Sequence, residues 1–195
     1  MSTEEHCICT EISGCNYRCT VKMLIHCQII NRLDYCNYIY YNLPKYQLKK
    51  LQLVMNKAAR LVKRLPLYER ITPTIIELHW LPIKTRIVFK ICVLVYQALR
   101  TGKPDYVRCM LKHYQLGTSL LTRQAADEYR LEEPRCNTSV GSRAFKYCAP
   151  KLYNSLPIDV KSCTDVHLLK KKLKTFIFND CFNIRENCIT ENYAL

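Results

Sequence analysis

The segment that most constrains the fold is "YQLKKLQLVMNKAARLVKRL", residues Tyr46 to Leu65. On a helical wheel of about 100° per residue its apolar residues and its cations fall on opposite sides, a period that a β-strand cannot produce. The segment therefore predicts a long amphipathic helix that needs other helices to cover its apolar side. The residues of that side are Leu48, Leu51, Met55, Ala58, Val62 and Leu65.

The opposite side of this helix is predicted to be strongly basic, with Leu53 as the only large apolar residue among the cations. The segment contains no Asp or Glu that could neutralise them. A solvated face accounts for most charged helices, but like charges on one face repel each other, and contact with phosphates relieves that repulsion. This face is therefore the candidate nucleic-acid contact. Its cations are Lys49, Lys50, Lys57, Arg60, Lys63 and Arg64.

The charge of the whole chain points to the same class of partner. Its 195 residues include 30 Lys and Arg against 16 Asp and Glu, a formal net charge of +14. Such a surplus favours polyanions, either nucleic acid or an anionic membrane surface. The four glycines form no phosphate-binding loop pattern, which argues against a nucleotide-binding fold. The longest apolar run, Ile91 to Tyr96, is far below the roughly 20 residues that span a bilayer, so we expect no membrane-spanning segment. Of the two polyanions, we expect nucleic acid and not a membrane as the partner.

Apolar spacing and stop signals predict further helices. One begins at Val21 and stops near the "NLPK" motif. Thr72 is expected to cap a short helix that has Pro73 in its first turn. The segment Ile83–Arg100 is apolar on nearly every side and is followed by Gly102, which predicts a helix at the buried centre of a helical unit.

The carboxyl-terminal part of the chain is also predicted to be helical. One helix follows Pro104, and "SRAFKYCAPKLYNSLP" has helical spacing that we expect Pro150 to interrupt. The last helix is predicted from Asp165 to Phe178, behind a cap at Thr164. It would carry a second basic face made of Lys170, Lys171, Lys172 and Lys174.

The amino-terminal segment carries three glutamates and no continuous apolar stretch, which is typical of neither a secretory signal nor a transit peptide. We therefore expect an intracellular protein, nuclear or cytoplasmic and not secreted, whose thiols are reduced. Of the 13 cysteines, only Cys15 and Cys19 have a spacing usual for zinc ligands, so we expect no metal and no cofactor. Five cysteines with apolar neighbours are predicted to lie in the core: Cys36, Cys92, Cys109, Cys148 and Cys181.

Five segments together carry a resemblance to a known family. They are "NRLDYCN" (Asn31 to Asn37), "LQLVMNKAAR" (Leu51 to Arg60), "ITPTIIELHWLPIKTRIVFKICVLVYQAL" (Ile71 to Leu99), "SRAFKYCAPKLYNSLP" (Ser142 to Pro157) and "LLKKKLKTFIF" (Leu168 to Phe178). In this order they resemble the part of a jockey-like LINE (non-LTR) retrotransposon reverse transcriptase polyprotein that follows the polymerase palm. The resemblance covers residues 21 to 182, and residues 1 to 20 match nothing in the family.

The resemblance implies RNA-directed DNA synthesis and endonuclease nicking as activities of the parent polyprotein, but neither site is expected here. Polymerase chemistry uses carboxylates that hold two divalent metals roughly 4 Å apart. None of the chain's aspartates is adjacent to another, and Asp34 lies downstream of where the resemblance would put the catalytic palm. Asp127 and Glu128 are adjacent but have no third ligand nearby in sequence. We therefore expect no enzymatic activity.

The resemblance also implies a mainly α fold, with a helical thumb-like bundle followed by an irregular connection and a small carboxyl-terminal helical subdomain. The expected boundaries are a disordered leader at 1–20, the thumb-like region at 21–114, the connection at 115–140, the carboxyl-terminal helices at 141–182 and a tail at 183–195. Thumb-side helices of such enzymes help to position nucleic acid by backbone contact. RNA or DNA, held through its phosphates, is thus the expected partner.

The single tryptophan lies in the most specific of these motifs, "ELHWLP". We expect Trp80 to be a structural aromatic anchor that packs the short helix onto the central one, with Pro82 fixing the turn. His79 is expected to be structural as well. Three hypotheses remain open at the level of sequence: a noncatalytic nucleic-acid-binding segment, a vestigial transposon fragment without independent function, and a host-adopted protein-interaction module.

Overall fold

A computed structural model describes residues 19–113, 129–138 and 140–182 of the chain. Within these residues the protein is mainly α-helical, as the sequence predicts, and the only β-type pairing is an isolated antiparallel bridge between His113 and Leu131. The described chain divides into two compact units. The first contains residues 19–36 and 44–83, and the second contains residues 37–43 and the described residues from 84 to 182.

Helix α1 of the first unit runs from residue 19 to Asp34 and includes a π-helical turn at His26–Ile30. The chain is already helical at residue 19, where the described part of this stretch starts, and the helix ends well before the "NLPK" motif where the sequence predicts its end. Cys36 has a positive φ of 48°, a conformation that no helix continues through. The chain then forms a separate 3₁₀ turn at Asn37–Tyr40.

Helix α2, Lys45–Lys63, is the predicted amphipathic helix, and its buried side agrees with the helical wheel. Arg64 follows it in the left-handed conformation, with φ at 53°, and this ends the helix. The Leu65 amide donates to the Arg60 carbonyl at 3.0 Å, and the Arg64 amide donates to the Leu61 carbonyl at 3.4 Å. This pair of bonds is the Schellman pattern, which satisfies carbonyls that a helix end otherwise leaves open. The buried residues of α2 are Leu48, Met55, Ala58, Ala59 and Val62.

Helix α3, Thr72–Glu77, is the predicted short helix, but Thr72 does not cap it. Ile71 already has helical angles, with φ at −87° and ψ at −22°, and no side chain bonds to the free amides of the first turn. Thr72 therefore lies inside the helix, because the helical conformation begins one residue earlier than the capping motif predicts. Pro73 occupies the first turn, where its missing amide hydrogen costs no helical bond.

Helix α4, Ile83–Thr101, contributes most of its residues to the second unit. Its length and burial confirm the prediction of a central helix, since ten of its side chains are buried. Gly102 follows with φ at 72°, and its amide donates to the Ala98 carbonyl at 3.1 Å, which closes the helix as predicted. The buried residues are Ile83, Thr85, Ile87, Val88, Ile91, Cys92, Val93, Val95, Tyr96 and Ala98.

The remaining helices also belong to the second unit. They are α5 (Asp105–Met110), α6 (Phe145–Asn154), α7 (Ile158–Lys161) and α8 (Val166–Cys181). The predicted interruption at Pro150 is wrong, because α6 continues through it. A proline removes one helical hydrogen bond, and here burial of the helix around it outweighs that loss. The residue that precedes α8 is Asp165 rather than the predicted cap Thr164, and α8 extends three residues beyond Phe178.

Candidate nucleic-acid interface

Three of the six predicted cations lie on the exposed side of α2 and make no ion pair within the described residues. Lys49, Lys50 and Lys57 are all exposed, on the side opposite the buried residues of the helix. They stay in water because the apolar side alone satisfies the packing of α2, and long cationic side chains are rarely buried without a partner. These three side chains can reach an external phosphate without breaking any contact of the fold.

The other cations of the predicted face are engaged inside the first unit. Lys63 forms an ion pair with Glu77 of α3, an acid from outside the segment that carries the six cations. Arg60 donates from Nη2 to the Glu69 carbonyl at 2.9 Å, and its Nη1 is buried without a hydrogen-bond partner among the described residues. The prediction that no acid neutralises this face is therefore wrong at Lys63, because the chain returns after Pro66 and brings Glu77 of α3 back to the end of α2.

Arg64 differs from both groups because its backbone has a structural role. It lies one residue beyond α2 in the left-handed conformation that closes the helix, and its side chain is exposed. Of the six predicted cations, Lys49, Lys50 and Lys57 are therefore the set whose side chains are exposed and form no ion pair with another described residue.

Sequence reasoning missed the apolar residues that share the exposed side of α2. The sequence predicts only Leu53 there, and this residue is 49% exposed. Three further residues are exposed on this side as well: Tyr46 at 62%, Leu61 at 55% and Val54 at 44%. The signal was present, because the same helical wheel that separates the lysines from the core also places these residues away from it. The exposed side of α2 is therefore a mixture of lysine and apolar side chains.

The second predicted basic face lies on α8, in the second unit. Lys170, Lys171 and Lys174 are exposed on this helix, and its buried side is formed by Leu169, Leu173, Ile177 and Phe178. Lys172 is also exposed, and its Nζ donates to the Asp159 carbonyl at 3.4 Å. Three of the four predicted lysines thus keep their charge directed to solvent, while the fourth contacts the backbone of α7.

The "HWLP" motif closes α3 in the same way that Arg64 closes α2. His79 is left-handed, with φ at 52°. Its amide donates to the Ile76 carbonyl at 3.0 Å, and the Trp80 amide donates to the Ile75 carbonyl at 3.0 Å. In this motif the residue that follows the left-handed position commonly packs against the end of its own helix. Trp80 is only 7% exposed, as an anchor requires, and Pro82 follows it just before α4; packing of Trp80 onto α4 stays a prediction.

The cysteines divide into buried and exposed groups that only partly match the predicted core. Cys92 and Cys148 are buried as expected, Cys36 and Cys181 are partly exposed, and Cys109 is exposed. Burial, and to a smaller extent the nearby Cys148 thiol, raises the pKa of Cys92 to about 12. Burial raises the pKa of Cys148 to about 11. Sequence reasoning also missed a buried cysteine, Cys163.

The described residues contain no group of three or more His, Cys, Asp or Glu side chains that could hold a metal ion. Cys15 of the predicted zinc pair and the adjacent acids Asp127 and Glu128 lie outside the described residues, and Cys19 is exposed. An open depression of about 390 Å³ beside α5 includes Cys109 and His113, but they form no such group.

The cavity beside α8 is too small for a metabolite. It measures about 30 Å³, against roughly 300 to 1,000 Å³ for typical ligand pockets. It is lined mainly by apolar side chains of α4, α6 and α8, with Asp180 at one side. Burial raises the pKa of the Asp180 carboxyl above its ordinary value. A partly desolvated carboxyl beside a space of this size provides no substrate site.

None of the described helices is long and apolar enough to cross a membrane. No family model, no curated protein and no solved structure matches the chain.

Proposed function

We propose that the chain is a noncatalytic segment of a jockey-like LINE retrotransposon polyprotein that binds the phosphate backbone of RNA or DNA. The family origin rests on the motifs from "NRLDYCN" to "LLKKKLKTFIF" described above. The observation that carries the binding function is the exposure of Lys49, Lys50 and Lys57 on one helix, where none of them forms an ion pair with the part of the chain that the structure describes. The exposed lysines of α8 act in support.

The geometry of α2 suits contact with a backbone rather than with base edges. Lys49 and Lys57 are eight residues apart, which is about 12 Å along a helix at a 1.5 Å rise per residue. Lysine is a flexible point charge without the planar fork that reads a guanine edge, so it neutralises phosphates with little sequence preference. Binding should therefore be weakly selective and should fall steeply as salt rises.

The test is a salt series of filter binding with the wild-type protein and a variant that carries Lys49→Gln, Lys50→Gln and Lys57→Gln. Each phosphate contact contributes about 0.7 to 0.9 to the log-log slope, so the triple change should lower the slope by about 2 to 3. Helix content should be unchanged, because Gln is a comparable helix former and the buried side of α2 is intact. Arg60 and Arg64 are left in place because both take part in the local fold.

A matched control carries Lys103→Gln, Lys146→Gln and Lys151→Gln, which removes the same three charges from exposed positions outside both basic faces. Its slope should stay within about 1 of the wild-type value. An equal fall in both variants would mean that net charge, and not α2, governs binding. Absence of binding at about 50 mM salt, where the electrostatic attraction is strong, would leave a vestigial fragment as the better description.

The proposed origin has its own test, which is independent of binding. An open reading frame for the polymerase palm, immediately upstream of the Met1 codon in the genome, would support descent from such an element. An upstream sequence without any trace of a palm would argue against it.

A further inference from the structure

One stripe of α2 alternates apolar and cationic side chains along its length. Tyr46, Lys50, Leu53 and Lys57 follow the spacing i, i+4, i+7, i+11, which places them in one row on a helix. The row spans about 16 Å at a 1.5 Å rise per residue. Its apolar members are well exposed, Tyr46 at 62% and Leu53 at 49%.

The Tyr46 ring is accessible and is not held by other aromatic groups. Its hydroxyl accepts a hydrogen bond from Gln47 Nε2 at 3.3 Å, and the ring enters no aromatic pair within the described residues. Lys49 and Lys50 lie three and four residues further along α2, which puts both on the neighbouring turn. An exposed aromatic face and two free cations therefore lie within one turn of each other.

A duplex would leave the apolar half of this stripe unused. The outer surface of a duplex presents phosphates and sugars, which lysines satisfy, but the faces of its bases are stacked inside. A single strand exposes both kinds of group, and its bases stack on aromatic and apolar side chains while cations track its backbone. The order of ring, cation, alkyl group and cation along the stripe therefore matches the groups that a single strand exposes.

We infer that the stripe Tyr46–Lys50–Leu53–Lys57 is a binding site for single-stranded nucleic acid, with a base stacked on the Tyr46 ring and phosphates held by the two lysines. This inference rests on the proposed function and narrows its ligand. The stripe presents no group that is specific for a ribose hydroxyl, so RNA and DNA single strands both bind.

The experiment compares three probes of equal phosphate number: an oligouridine, an oligothymidine and a mixed-sequence DNA duplex. Tyr46→Ala should weaken binding of both single strands by about 5- to 150-fold, the effect of losing one base stack. Its salt slope should not change, because tyrosine carries no charge at neutral pH. Duplex binding should change by less than about twofold, and Tyr46→Phe should retain wild-type affinity for all three probes.

Two controls separate this inference from the proposed function. Tyr68→Ala removes a ring that is 90% exposed in the same unit but lies beyond the end of α2, and it should alter no affinity. The Lys50→Gln, Lys57→Gln double variant should weaken single strands and duplex alike. If Tyr46→Ala weakens all probes equally, or none of them, while the lysine variant still acts, the stacking site is refuted and backbone binding stands. If no probe binds to the wild-type protein, both proposals fail together.

Discussion

The side-chain amide of Asn154 pairs with both backbone groups of Leu131. Its Nδ2 donates to the Leu131 carbonyl and its Oδ1 accepts from the Leu131 amide, each at 2.9 Å. Nδ2 also donates to Glu133 Oε1 at 2.8 Å. Because Leu131 is only 1% exposed, water cannot replace these bonds. The Asn154 side chain thus supplies to the Leu131 backbone the two hydrogen bonds that a neighbouring β-strand would supply.

Replacing Asn154 by Ala should destabilise the protein by about 2 to 4 kcal/mol, since it leaves a buried donor and a buried acceptor of Leu131 without partners. Urea unfolding followed by far-ultraviolet circular dichroism measures the change. Thr175→Ala is the control, because that exposed hydroxyl bonds only to the Lys171 carbonyl of its own helix. A loss below about 0.5 kcal/mol for Asn154→Ala, the range of an ordinary surface change, would contradict the role assigned to this amide.

How far the sequence predicts the fold depends on how local each signal is. The helices α2 and α4 follow from apolar periodicity and from the residues at their ends, all of which lie within one segment. The Asn154 bonds join residues 23 positions apart, and the pair of Lys63 with Glu77 spans 14. Such contacts depend on the path of the chain between them, which no local pattern specifies.

The same distinction explains the partial success at the candidate interface. The wheel places Lys49, Lys50 and Lys57 on the exposed side because amphipathicity is local. It assigns Arg60 and Lys63 to the same face for the same reason, and it cannot show that the chain returns to engage them. The end of α1 is mispredicted for another reason. The sequence stays apolar and helix-compatible beyond Cys36, so no local pattern marks the residue at which the backbone leaves the helix.

The buried thiols should respond to pH in a defined window. The unfolded chain loses thiol protons from about pH 9, whereas folding raises the pKa of Cys92 to about 12. Between these values the unfolded state binds fewer protons than the native state, so the free energy of unfolding must fall as pH rises. Each such thiol contributes at most about 1.4 kcal/mol per pH unit. Cys92→Ala should therefore give a flatter stability curve above about pH 9 than the wild-type protein.

Alkylation supplies an independent check on the same groups. At about pH 8 the exposed thiols of Cys19, Cys27 and Cys109 should react with iodoacetamide, because the thiolate is the nucleophile and water reaches it. Cys92 and Cys148 should stay unmodified until the protein is unfolded. Peptide mass mapping that finds either buried thiol modified at the rate of Cys109 would contradict their burial.

Because His79 has a left-handed backbone conformation, we expect its replacement by glycine not to lower the stability of the protein. A residue with a Cβ is strained by about 1 to 2 kcal/mol in this conformation, and glycine is not. His79→Gly should therefore leave thermal stability unchanged or raise it, whereas the β-branched variant His79→Val should lower it. A glycine variant that is clearly less stable than the wild-type protein would show that the imidazole contacts matter more than the backbone conformation, and one less stable than the valine variant would contradict the strain at this position.

Trp80 should act as a core residue and not as a stacking surface. Trp80→Ala should lower the free energy of unfolding by about 3 to 5 kcal/mol, as for other buried aromatics, and Trp80→Phe should lose less because much of the ring volume is kept. As the only tryptophan, its native fluorescence should be blue-shifted and should move to longer wavelength on unfolding. Unchanged melting of the Ala variant together with lost RNA affinity would place Trp80 at the nucleic acid instead.

The ion pair between Lys63 and Glu77 should affect nucleic-acid binding more than it affects the stability of the fold, because it neutralises one cation of the basic side of α2. The Glu77 side chain is 63% exposed, and exposed pairs contribute about 0 to 1 kcal/mol, so Glu77→Gln should lower stability only slightly. The change frees Lys63 to contact phosphate, which should raise the salt slope of nucleic-acid binding by up to about 0.9. Glu132→Gln, at an exposed position of the second unit, removes the same charge without touching the pair and should leave the slope unchanged. Equal slopes for the two variants would mean that Lys63 does not reach the ligand even when it is released.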